Sequence, residues 1–124
     1  MANVLESPTT ILASAARTAS ATSSAFRLPH TSRGFAIQMA ATALSSTPSV
    51  VPKVQHLVGD TWTDVMAGAA MTTATTQNLI YHPSAADVAN ISESSTTVRD
   101  TFRVVCTAAD SDSYTYSVVA FPIK

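Results

Sequence analysis

Serine, histidine and aspartate all occur in this chain, so nucleophilic hydrolysis is the first chemistry to test. A nucleophile elbow holds its serine on a strained turn within Gly-x-Ser-x-Gly. The glycines here are Gly34, Gly59 and Gly68, and none flanks a serine in that way. His30, His56 and His82 stand singly, away from the paired spacing that zinc sites use. Asp110-x-Asp112 has a superficial likeness to a calcium loop, but the glycine and the distal bidentate glutamate are missing. Short side chains that bond back to their own backbone explain both carboxylates as turn residues. No glycine-rich phosphate loop is present, and Asn90-Ile91-Ser92 matches a glycosylation acceptor only in the weakest sense. The residues predict a protein that is not an enzyme and uses neither metal nor cofactor.

Other side chains suit binding better than catalysis. Arg17, Arg33, Arg99 and Arg103 fall at strand positions or strand starts, where the planar guanidinium fork pairs with carboxylates on a partner. Trp62 is the single tryptophan, a residue that supplies core or interface area more often than a sugar platform. A glycan-binding alternative would use Trp62 and Tyr81 together. Cys106 is the single cysteine, which excludes an internal disulfide. It falls on the apolar side of an alternating run with no basic neighbours in sequence, so it reads as a small buried hydrophobe.

The composition narrows the partners. Hydrophobic residues make up 46% of the 124 positions, but many are alanine. Charged residues make up only 12%, against roughly 25% in an average soluble protein. Serine and threonine replace them, at about a quarter of the chain. Such a surface is polar and nearly uncharged, and suits close packing among many subunits. The net charge is −1, with no clustered basic face for nucleic acid and no polybasic patch for a membrane. No apolar run approaches the ~20 residues that span a bilayer, and the N-terminus has no basic start followed by an apolar stretch.

The elements that position these residues are strands. The run 98–121 carries the strongest signal: Phe102, Val104, Cys106 and Ala108 alternate with polar neighbours, and after the acidic turn Tyr114, Tyr116, Val118 and Ala120 do the same. This pattern predicts a β-hairpin. Phe35, Ile37, Met39 and Ala41 share one face of another strand, ended by Ser45-Ser46-Thr47-Pro48. The next strand is 50–57, in which Pro52 marks an edge or a bulge. Gly59-Asp60 turns the chain into 61–66, with Trp62, Asp64 and Met66 on one side. A small polar loop covers 68–76, and a short strand covers 78–82. Ser84-Ala85-Ala86-Asp87 resembles a capping box and opens a possible short helix with Val88 and Ile91 inward.

Residues 1–32 differ from the rest. Residues 10–19 fit a helix by alanine content, or a strand of small side chains. The β character downstream favours an extended arm that contacts a partner, with Val4, Leu5, Ile11, Leu12 and Arg17 as its interface residues. Short strands at roughly ten-residue spacing over 33–124 indicate a sandwich. The fold expected is all-β, an antiparallel β-sandwich of jelly-roll-like type with an extended N-terminal arm.

One series of short motifs runs in order along the chain: Leu12-Ala13-Ser14-Ala15-Ala16-Arg17-Thr18, Thr47-Pro48-Ser49, Asp60-Thr61-Trp62-Thr63, Tyr81-His82-Pro83, Thr101-Phe102-Arg103-Val104, and Asp112-Ser113-Tyr114-Thr115-Tyr116-Ser117-Val118. In this series the sequence resembles small β-sandwich structural proteins of tailed bacteriophages, among them capsid decoration (cement) and auxiliary head proteins. It departs from that group at Ser84, where a glycine is common, and at Val98-Arg99-Asp100, where Leu-Pro is common. The resemblance implies a virion protein on the capsid exterior, made in the host cytoplasm. Its implied partners are the major capsid protein and copies of itself, as a trimer, with no nucleic acid and no membrane.

Overall fold

The computed structural model describes residues 3–29, 32–44, 49–82, 92–93, 101–109 and 113–123. No helix occurs among them. The strands are β1 (Asn3–Val4), β2 (Thr9–Arg17), β3 (Ala21–Thr22), β4 (Phe26–Arg27), β5 (Gly34–Leu44) and β6 (Val50–Val58). They continue with β7 (Thr61–Ala67), β8 (Thr76–Tyr81), β9 (Ser92–Glu93), β10 (Thr101–Ala108) and β11 (Tyr114–Ile123). Sheet I runs β1-β4-β10-β6-β7, with β3 also paired to β10; sheet II runs β2-β11-β5-β8-β9. Pairing is antiparallel except for β1 with β4 and β8 with β9. The chain is an all-β, sandwich-like protein.

Alternation explains how the sheets close on each other. Phe35, Ile37 and Met39 of β5 and Phe102, Val104 and Cys106 of β10 are fully buried, as are Tyr114, Val118 and Ala120 of β11. These inward rows come from both sheets and form one core. At its centre Phe35 meets Phe102 at 4.6 Å between ring centroids, and Phe26 at 5.1 Å edge-on. Tyr81 stacks on Phe35 at 5.4 Å. Ring pairs in these arrangements add about 0.5–1.5 kcal/mol beyond their buried area.

Four sequence expectations need correction. The run 98–121 does form two strands, but they are not a hairpin. β10 pairs with β6, β3 and β4 in sheet I, whereas β11 pairs with β2 and β5 in sheet II. The two strands belong to different sheets, so their alternating faces meet across the core rather than side by side. The tight two-residue hairpin is β6–β7, where Val58 pairs with Thr61 and Gly59 takes φ 61°, as the primed turn classes require.

Pro52 does not lie in an edge strand, since β6 sits between β10 and β7. Its carbonyl accepts from Gly68 N at 2.7 Å. In an antiparallel ladder the nitrogen and carbonyl of one residue point to the same side. The missing N–H of Pro52 therefore points past the paired end of β7, where no ladder bond is lost. β7 changes phase through a bulge at Val65: Val54 pairs with Met66 but Gln55 pairs with Asp64. Met66 is buried, and Trp62 and Asp64 are on the outer face with Gln55 and Leu57.

The fourth correction concerns residues 1–32. The described part is extended, but it belongs to its own chain's sheets. β2 pairs with β11 from Arg17↔Tyr114 to Thr9↔Ala120, β3 and β4 pair with β10, and β1 pairs with β4. The segment thus crosses from one sheet to the other and back. Ser23 anchors one crossing: its backbone N donates to Val104 O and its Oγ accepts from Val104 N, both at 2.8 Å. Ser20 Oγ accepts from Ala108 N at 2.9 Å. The helix alternative for 10–19 fails because the residues up to Arg17 pair with β11 instead. The expected turns at 45–48 and 110–112, and the expected helical turn opening at Ser84, lie outside the described residues.

Candidate functional site

The interface residues read from the sequence fall in different places. Leu5 and Ile11 are 1% and 6% exposed and belong to the core of their own chain. Their side chains pack into that core and meet the outside only where they line the cavity described below. Leu12 is half-buried and packs against the same core. Val4 is 46% exposed, and Arg33 is exposed with its backbone N donating to Ile123 O. Arg99, His30, Asp110 and Asp112 lie outside the described residues.

Arg17 turns its fork onto its own fold. It donates to Ala13 O at 2.6 Å, to Tyr116 O at 2.8 Å and to Ala15 O at 3.2 Å, and stands 4.6 Å over the Tyr116 ring. β2 also carries two register shifts against β11. Bulges and a folded-back charge are devices that blunt a sheet edge. Arg17 covers the C-terminal end of β2 and the irregularities fall between Ala15 and Thr10, so the strand is a guarded edge, poorly suited to adding a partner's strand.

Next to the other half of β2, the edges of the two sheets leave a cavity of about 60 Å³ that opens to solvent. Val4, Leu5, Thr10, Ile11, Ala25 and Phe26 contribute to its lining. Thr9 and Ser24 complete the lining, which is part apolar and part hydroxyl-bearing, with no charged side chain. It is too small for a cofactor and of the size of one aliphatic side chain.

A second feature lies on the outer face of sheet I. Register aligns Arg103 of β10, Gln55 of β6 and Asp64 of β7 in one row. Arg103 Nε donates to Gln55 Oε1 at 2.8 Å, and Gln55 Nε2 donates to Asp64 Oδ1 at 2.9 Å. Lys53 Nζ lies 3.7 Å from Asp64 Oδ2. The Arg103 guanidinium reaches 4.3 Å from the Trp62 ring centroid. Beside Trp62, at the tip of the β6–β7 hairpin, Leu57 and Val58 are 37% and 55% exposed. Tryptophan and arginine set among exposed aliphatic groups are the residue types that anchor interfaces. Sequence reading named Trp62 and Arg103 and put Asp64 on the side of Trp62, but gave Gln55, Lys53, Leu57 and Val58 no role, because alternation does not reveal that β6 lies between β10 and β7.

The two-aromatic sugar platform does not form, since Tyr81 is 2% exposed within the core. Among the described residues no three histidine, cysteine, aspartate or glutamate side chains converge on a metal position. Cys106 is fully buried. Burial pushes its thiol up to about 12, against smaller downward pulls from the Tyr116 hydroxyl and the Arg17 charge. Burial raises Tyr116 as well. Both side chains pack in the core. No family, no curated protein and no solved structure matches this chain.

Proposed function

We propose that this chain is a non-enzymatic structural protein of a bacteriophage virion, a decoration protein that binds the outside of an icosahedral head and reinforces it. The ordered series of motifs over most of the chain supports this reading, with the nearly uncharged surface. The reading takes the two sheets as a jelly-roll-like block whose N-terminal segment carries the capsid contact.

The observation that carries it is the N-terminal corner, where exposed Val4 borders the 60 Å³ cavity beside β2. The stretch 13–16 of β2 exposes only alanine and serine, which allow a neighbouring backbone to come close. Because Arg17 and the bulges guard that edge, attachment works by a capsid aliphatic side chain entering the cavity rather than by strand addition. Each such contact is small, and many copies sum over a shell. Trimerisation is implied by the resemblance alone.

The test is the copy number of this chain in purified particles relative to the major capsid protein. A simple ratio repeated over the shell supports the capsid exterior. A handful of copies per particle favours the alternative, a tail- or fibre-associated glycan binder, and absence from particles refutes the virion reading.

A further inference from the structure

The outer face of sheet I is built to meet itself. We infer that it docks against the same face of a second copy of this chain across a two-fold axis running along β6. The inference is independent of the virion reading and uses a surface separate from the N-terminal corner.

The argument begins with the register. In the row Arg103–Gln55–Asp64 the cation and the anion stand on opposite sides of β6. A two-fold axis between two facing sheets, parallel to β6, carries β10 of one copy over β7 of the other. Arg103 of each copy then stands over Asp64 of the other, and the amide of Gln55 meets its own equivalent at the axis. An isologous contact needs this property: the patch must complement itself under the operator. Lys53 would also approach its equivalent, but its Nζ leans off the axis toward Asp64 at 3.7 Å. Val105 and Ala67 flank Lys53 in the next row, and Trp62 and Leu57 form the apolar end of the patch.

The competing occupant is a glycan, and the hydrogen bonding disfavours it. The Gln55 amide is bonded at both ends, Asp64 accepts from Gln55 and lies beside Lys53, and a guanidinium covers one face of Trp62. Sugar hydroxyls would have to displace these pairs. The Arg103 terminal nitrogens, in contrast, have no hydrogen-bond partner among the described residues and fit a carboxylate from outside. Three strands at about 4.8 Å spacing and about 20 Å of length offer roughly 300 Å² per copy. That is below the ~800 Å² per partner of a standard stable interface, so the association is weak and concentration-dependent.

Sedimentation velocity across a concentration series, from micromolar to millimolar, tests this. The wild-type sedimentation coefficient should rise toward that of a dimer. Arg103→Glu alone and Asp64→Lys alone should each remain monomeric, because each places like charges opposite each other. An equimolar mixture of the two should associate again. In the mixed pair the two introduced charges face each other with opposite sign, and the native Asp64 of one copy faces the native Arg103 of the other. A second measurement covers the case of a variant that does not fold: a short bismaleimide should link Gln55→Cys copies to each other and should not link Ala40→Cys, which is on the opposite sheet. A wild type that stays monomeric throughout overturns the inference. So do single variants that associate like wild type, or a mixture no different from its components.

Discussion

Val4 and Leu5 are neighbours in sequence with opposite exposure, 46% and 1%, and this contrast decides what the N-terminal segment is. Replacing Leu5 with alanine removes three buried carbons, at about 0.8 kcal/mol each, so the transfer loss is about 2.4 kcal/mol. A residual cavity adds to this, bringing measured leucine-to-alanine losses to about 2–5 kcal/mol. Leu5 already lines an opening that solvent reaches, so water fills part of the new space and the loss should fall near 3 kcal/mol. Ile11→Ala should cost a similar amount. The double variant should cost less than the sum, since both residues line one cavity. At this chain length about 3 kcal/mol corresponds to a fall of roughly 10 °C in Tm. Val4→Ala should cost under about 0.5 kcal/mol, as exposed positions do. Urea denaturation followed by circular dichroism, with unchanged m-values, measures all four. If Leu5→Ala and Ile11→Ala both stay within about 0.5 kcal/mol of wild type, the segment is a peripheral arm and the packing argument is wrong.

Three other outcomes are expected. The Cys106 thiol rises from its ordinary 9.0 to about 12 in the fold, so above pH 9 the unfolded chain loses its proton first and stability falls as pH rises toward 12; at about 1.36 kcal/mol per pH unit the loss reaches ~4 kcal/mol as an upper bound. Denaturation at pH 8 and pH 10.5 should show a steeper decline for wild type than for Cys106→Ala, and equal slopes would count against the buried thiol. Ser23→Ala leaves the Val104 N–H without its acceptor and should cost about 1–3 kcal/mol, read from the urea midpoint. Gly34→Ala puts a methyl group onto the Tyr81 carbonyl of the adjacent strand; it should destabilise by about 1–3 kcal/mol, and a thermal midpoint equal to wild type would refute the close approach.

The strands were legible because period two survives in the residue types. Phe35-Ile37-Met39 and Tyr114-Tyr116-Val118 could face only one way, and both rows are in the core. Pairing was not legible, because alternation says which face is inward but not which strand lies alongside. β10 and β11, consecutive in sequence but in different sheets, therefore looked like a hairpin. The N-terminal segment misled for a different reason. Alanine and serine carry little hydrophobic pattern, so the two residues that bind it to the core, Leu5 and Ile11, looked like isolated apolar groups on an arm. The outer face of sheet I was half visible: Trp62 and Arg103 stood out by type, while Gln55 and Lys53 became their neighbours only through the order of strands in the sheet.

The strand partners also fix the order in which the molecule can be completed. β2 finds its ladder on β11, with Arg17 facing Tyr114, and β3 and β4 find theirs on β10. The strands β2 to β4 must therefore wait for β10 and β11, which come much later in the chain. Until β10 and β11 emerge, Leu5, Ile11 and Phe26 have no core to enter and the backbone of β2 has no partner. Closing loops of this length before any contact is gained makes folding slow. While it waits, the segment that carries β1 to β4 is open to capture by a chaperone or by another copy.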